Sequence, residues 1–170
     1  PEYLDKLIDY VNTLNVDLVT LTGDYFSYVT KGYEQSLQDS FKKIESKYGK
    51  FGVLGNHDHW MGSKKVRDIF TNSNVIDLSN DVYTLEKDGE FLNICGVDSC
   101  TVCADNLDKV LAKMKKDTPS ILLAHEPDFA KQSSQTNRFD LQISGHSHGG
   151  QFIIPKFETT PFRGPNSRKY

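Results

Sequence analysis

The sequence has no apolar run approaching the ~20 residues that cross a bilayer as a helix, and no charged-then-apolar signal segment opens it. A helical span is therefore excluded within these 170 residues. An excess of one charge is missing too: 20 Lys and Arg stand against 23 Asp and Glu, a net −3. That balance argues against a bulk electrostatic nucleic-acid binder, which displays a strongly basic face. Cysteine is scarce, with Cys95, Cys100 and Cys103 alone. Three cannot all pair and do not resemble a secreted disulfide framework, so a reducing, cytoplasmic compartment fits better. Methionine occurs only at 61 and 114, so a chain opening on Pro1 reads as a processed product or a fragment. Its length suits one domain and is too short for two catalytic ones.

What is present describes a soluble globular protein with a modest apolar fraction: 37% hydrophobic and 25% charged residues, and a mean hydropathy of −0.51. The charge is unevenly spread. Residues 155–170 hold Lys156, Arg163, Arg168 and Lys169 against Glu158, with three of the six prolines, leaving −6 for the first 154 residues. Such a basic, proline-rich tail is either a solvated end or a contact for phosphate or an anionic surface. Cys100-x-x-Cys103 lacks the second pair that a structural zinc requires and reads as ordinary thiols.

Leu4, Leu7, Ile8, Val11 and Leu14 recur at helical spacing, so residues 3–14 read as an amphipathic helix. An apolar strand, Val16–Leu21, follows and runs into Gly23-Asp24. Tyr33, Leu37, Phe41, Ile44 and Tyr48 predict a second helix, and Phe51–Leu54 a strand that stops at Gly55-Asn56. Beyond these, 74–78, 82–86 and 91–96 are short strand candidates, the last two joined by Lys87-Asp88-Gly89 as a hairpin. A helix over 106–116 and strands at 121–124, 141–144 and 152–154 complete the reading. Strands alternating with helices predict an α/β layer structure with a parallel core.

All five histidines, His57, His59, His125, His146 and His148, sit at or just after the end of a predicted strand. Ligands of α/β sheets bind beyond the carboxyl ends of the strands, where loops converge. Asp24 and Asn56 occupy equivalent strand ends, so four separate segments deliver Asp, Asn-His-Asp-His, His and His-x-His toward one pocket. This inventory suits a pair of divalent cations: imidazole binds Zn, Fe or Mn, a carboxylate bridges two ions, and a carboxamide oxygen adds a neutral donor. Two ions about 3.5–4 Å apart clamp a phosphoryl group and acidify water. Gly23, Gly55, Gly145, Gly149 and Gly150 flank the segments. A lone loop histidine is commonly a surface residue, and Gly55-Asn56 alone is a turn dipeptide. It is the placement of every histidine in such a segment that favours the site.

Gly23-Asp24, Gly55-Asn56-His57-Asp58, His125 after an apolar strand and Gly145-His146-Ser147-His148 resemble, in order, the motifs of the calcineurin-like metallophosphoesterase superfamily. Gly145 to Gln151, with His125-Glu126-Pro127-Asp128, is similar to the bacterial branch of membrane-associated phosphodiesterases and lipid-linked nucleotide pyrophosphatases. The resemblance implies a four-layer α/β/β/α sandwich carrying two divalent ions (Mn, Zn, Fe or Mg). It also implies hydrolysis of a phosphodiester or pyrophosphate bond by a metal-activated hydroxide. Asp24 would bridge the ions; Asn56, His125 and His146 would complete one shell and His148 would serve the other. His57 would protonate the leaving oxygen with Asp58 as orienting partner, and His59 is a substrate-side candidate.

The family's Asp-x-His motif, expected on a first core strand ahead of the opening helix, is not in these residues, so that strand and two ligands of the first ion are expected to lie before Pro1. Ser27 stands where protein-phosphatase members carry a second aspartate, which argues against that branch. A phosphate-ester substrate is implied, and the tail and branch leave room for a lipid-linked one with peripheral membrane contact through a preceding segment. Two other readings compete. Gly145-x-Ser147-x-Gly149 matches a nucleophile elbow, yet a strand-like segment follows it and only His148 lies downstream, so serine chemistry is disfavoured. A catalytically inactive scaffold of the same fold is the alternative; a complete ligand set for the second ion argues against it.

Overall fold

The computed structural model describes residues 2–27 and 32–148. The first helix, α1 (Glu2–Thr13), turns Leu4 and Ile8 inward and has Glu2 and Asp5 in its first turn, where acidic groups complement the helix dipole. The strand after it is β1 (Val19–Leu21). It is shorter than its apolar run because the carbonyls of Val16 and Asp17 accept from Lys47 and Tyr48 in a loop contact (3.3 and 2.8 Å). Helix α2 spans Glu34–Lys42 and stops before the predicted Tyr48. The Asn12 amide ends it, donating to the Lys43 carbonyl at 2.7 Å and accepting from Glu45 N–H at 3.0 Å. Ile44 still packs with Phe41 although it lies outside the helix.

After β2 (Lys50–Gly52) come two helices the sequence reading lacks, α3 (Asn56–Met61) and α4 (Ser63–Asn72). The remaining elements are β3 (Val75–Asp77), β4 (Asp81–Lys87), β5 (Glu90–Gly96), α5 (Leu107–Lys113), β6 (Ser120–Leu123), α6 (Ala130–Ser133) and β7 (Leu141–Ile143). Short 3₁₀ turns at Pro127–Phe129 and Ser134–Thr136 flank α6. The β4–β5 hairpin turns on Asp88 and Gly89 at φ 53° and 82°, the left-handed pair that a two-residue hairpin loop favours. The predicted strand at 152–154 and the tail lie outside the described residues.

The strands form two sheets. β1-β2-β3 is parallel throughout; β4-β5-β6-β7 is antiparallel at β4/β5 and parallel across β5/β6 and β6/β7. Three apolar clusters show how they stack. Phe51 and Val53 meet Ile94, Leu123 and Leu78 between the sheets. Ile8, Phe41, Val66, Ile69 and Phe70 cover the outer face of the first sheet, and Leu107, Val110, Met114 and Phe129 cover the outer face of the second. Side chains alternate as the strand period requires: Ile94 points between the sheets and Cys95 outward, Leu123 inward and Leu122 outward. The result is a four-layer α/β/β/α sandwich. No helix among the described residues is long and apolar enough to cross a membrane.

Candidate metal centre

The ends of β1 and β2 in one sheet and of β6 and β7 in the other open onto a common point. Asp24, reached through Gly23, has φ 60° after φ 95° at the glycine. A Cβ on Gly23 would stand 2.6 Å from His125 Nδ1, so only glycine allows the two segments to approach so closely. Asp24 Oδ1 accepts the His57 backbone N–H at 3.0 Å, while Oδ2 faces His125 Nε2 at 3.2 Å. His125 is buried, and its Nδ1 lies 2.6 Å from the Thr22 carbonyl. A carbonyl only accepts, so Nδ1 carries a proton and Nε2 is the ring atom turned to the centre. His146 Nδ1 approaches the same Nε2 at 3.1 Å, with the two rings 4.9 Å apart at 79°. One donor atom each from Asp24, His125 and His146 lie within 4.8 Å of one another.

Asn56 adds the telling atom. It is buried, and among the described residues its Oδ1 has no hydrogen-bond partner, an arrangement costing about 1–3 kcal/mol unless something electrophilic answers it. Its chain neighbours, Gly55 and His57, both touch Asp24. An anionic oxygen, two imidazoles and an orphaned amide oxygen form a donor set that fits a divalent first-row cation. Burial opposes charge on both Asp24 and His125. Their mutual contact nonetheless lowers the Asp24 pKa and, with the Thr22 carbonyl, raises that of His125. Burial and the neighbouring His125 push the His146 pKa down. The backbone is strained here as well: His146 and His148 both adopt left-handed φ, 60° and 50°. His148 is exposed and is not part of the three-residue cluster; Gly149 and Gly150 lie outside the described residues.

Two of the candidates have contacts that their sequence-derived roles do not include. Asp58 is engaged with the backbone. It is wholly buried, and its carboxylate accepts from the backbone N–H groups of Asp24 (2.8 Å), Gly55 (2.9 Å) and Tyr25 (2.9 Å). Burial raises its pKa, against those three bonds. His57 Nδ1 instead lies 3.0 Å from the Ser27 carbonyl, so a backbone dipole stands where a carboxylate was expected. His59 is held by a carboxylate: its Nε2 sits 2.6 Å from Asp98 Oδ1. Asp98, Arg67 and the Thr22 and Ser27 carbonyls escaped the sequence reading. Main-chain oxygens carry no residue code, and Asp98 and Arg67 sit in no motif.

A family model for calcineurin-like phosphoesterases matches residues 1–150. The chain belongs to this family. Family membership implies divalent metal ions, in keeping with the donor set. The chain is 31% identical over 157 residues to the uncharacterised metallophosphoesterase YkuE of Bacillus subtilis, covering 91% of this chain and 54% of that protein. It is 29% identical to a metallophosphoesterase of Helicobacter pylori, covering 89% and 41%. A Danio rerio transmembrane protein with a metallophosphoesterase domain is 27% identical, covering 94% of this chain and 40% of its own length. The chain thus spans about half or less of these relatives. Among solved structures, the NAD nucleotidase of Haemophilus influenzae shares the fold with a TM-score of 0.62 at 18% identity, covering 86% of this chain and 32% of that one.

Proposed function

We propose that this chain forms the catalytic domain of a divalent-metal-dependent phosphoesterase that hydrolyses a phosphodiester or pyrophosphate bond without a covalent enzyme intermediate. The observation that carries the reading is the convergence of Asp24, His125 and His146, with the unpartnered Oδ1 of buried Asn56 lying between two residues in sequence, Gly55 and His57, that touch Asp24. In this reading Asp24, Asn56, His125 and His146 hold one cation, and Asp24 and His148 contribute to a second. Bound divalent cations would neutralise phosphoryl charge and lower the pKa of a coordinated water. The protein's own part is to fix the donors. Thr22 sets the His125 tautomer, Gly23 and Gly55 admit the close approach, and Asp58 holds the backbone of residues 24 and 25.

His57, steadied through Nδ1 by the Ser27 carbonyl, is the group that delivers a proton to the leaving oxygen. The Gly145 to Gln151 motif and the transmembrane relative favour a phosphate ester at a membrane surface as the natural substrate. His57→Ala and Asn56→Ala should each lower turnover of an aryl phosphodiester in manganese by at least about 100-fold. Near-normal rates in both variants would remove the site assignment, and Ser147→Ala should retain activity.

A further inference from the structure

The helix that carries Asn56 and His57 is fastened at its far side to the opposite sheet, and the fastening uses no donor of the candidate centre. His59 Nε2 lies 2.6 Å from Asp98 Oδ1; a carboxylate only accepts, so Nε2 carries the proton. Asp98 follows β5, and its side chain is 5% exposed. Its Oδ1 also accepts from Ser99 N–H at 2.8 Å, and its Oδ2 accepts from Arg67 Nη2 at 3.1 Å. Arg67, on α4, donates through Nε to Asp77 Oδ2 at 2.9 Å, at the end of β3. Asp98 itself is held by its own N–H, which donates to Asn80 Oδ1 at 3.1 Å. The resulting chain of contacts runs from β3 through α4 to the second sheet and back to α3.

The centre is divided between the sheets in the same way. Asp24 and Asn56 follow strands of the first, His125 and His146 strands of the second. The Asp24–His125 contact also crosses the gap, but its atoms are donors that a bound cation would take. The His59–Asp98 contact involves none of the candidate donors. A polar contact of this kind adds little net stability compared with apolar packing, so its contribution here is geometric. Because α3 is six residues long and opens with Asn56 and His57, any rotation of it moves both.

We propose that His59, held by Asp98 and braced by Arg67, is a positioning residue that sets where Asn56 and His57 stand relative to His125 and His146. This rests on the metal-centre reading above. The test compares the whole chain with His59→Leu, His59→Gln and Asp98→Asn; the glutamine places an amide nitrogen where Nε2 stood. Hydrogen exchange of the segment 55–61 in metal-stripped protein should accelerate at least about tenfold in His59→Leu, with β2 and α5 unchanged. The same variant should bind Mn²⁺ about tenfold more weakly and lose more in kcat than it gains in KM on an aryl phosphodiester. His59→Gln should recover most of all three. Unchanged exchange and Mn²⁺ affinity in His59→Leu would overturn the proposal, as would a glutamine variant no better than leucine. Should His59→Leu fail to fold, the glutamine and Asp98→Asn variants decide in the same assays. A parent chain that neither binds Mn²⁺ nor hydrolyses phosphoesters would defeat the hydrolase reading, and hydrogen exchange would still decide the latch.

Discussion

Gly55 stands where no side chain can. A Cβ there would overlap Asp24 Oδ1 and lie 2.6 Å from the Asp24 nitrogen and 2.8 Å from His125 Cε1, all in a buried site. Gly55→Ala should therefore cost about 1–3 kcal/mol by overpacking and weaken Mn²⁺ binding, as calorimetry on the refolded variant would show. Unaltered affinity would mean that Asp24 and His125 need not approach so closely. The cysteines behave differently. Burial pushes the Cys95 thiol up to about 12; burial and then the nearby Glu126 carboxylate do the same to Cys100. Both stay protonated at neutral pH and make poor nucleophiles or metal ligands. Iodoacetamide at pH 8 should label exposed Cys103 at least about tenfold faster than Cys100, which peptide mass spectrometry resolves. Asp24, Asn56, His125 and His146 were legible as candidates because each follows a strand. The duties of Asp58 and His59 were not, since a carboxylate can be spent on local backbone and an imidazole on a distant aspartate without leaving a mark in the sequence.

At the scale of elements, α3 shows why some structure stays hidden. Asn56-His57-Asp58-His59-Trp60-Met61 has no apolar periodicity, and Gly55-Asn56 reads as a turn. Instead, the helix is organised by Asp58, which accepts from Gly55 at its start and from Asp24 and Tyr25 across the loop. Asp58→Ala strands the buried or part-buried N–H groups of Gly55, Asp24, Tyr25 and, at 3.4 Å, Phe26, and should destabilise the fold by at least about 3 kcal/mol, measured by urea denaturation. A loss under about 1 kcal/mol would show that water replaces the carboxylate. Helix α4 did offer a signal, since Val66, Ile69 and Phe70 repeat at i, i+3, i+4 and are buried. Its brevity hid it. Helix α2 was overextended because periodicity in Ile44 and Tyr48 cannot reveal that the Asn12 amide, 31 residues away, takes the Lys43 carbonyl.

On the scale of the whole molecule, the alternation of helices and strands announced the layered class. The antiparallel β4–β5 pair beside parallel β6 and β7 could be read only in part, from the Asp88-Gly89 turn. The two sheets hold opposite halves of the candidate centre, so a bound cation ties them together and should stabilise the entire fold. At about 100 times its dissociation constant, Mn²⁺ should add about 2.7 kcal/mol, which thermal denaturation reads as a higher Tm. Asn56 makes this a sharp test, because its Oδ1 is an unanswered buried acceptor without the ion. The decisive measurement is the melting temperature of the parent chain and of Asn56→Leu, each stripped by chelation and then supplied with Mn²⁺. The prediction is that Mn²⁺ raises Tm in the parent alone, while metal-free Asn56→Leu melts no lower than the metal-free parent. An equal rise in both proteins, or none in the parent, would contradict a cation centre built on Asp24, Asn56, His125 and His146.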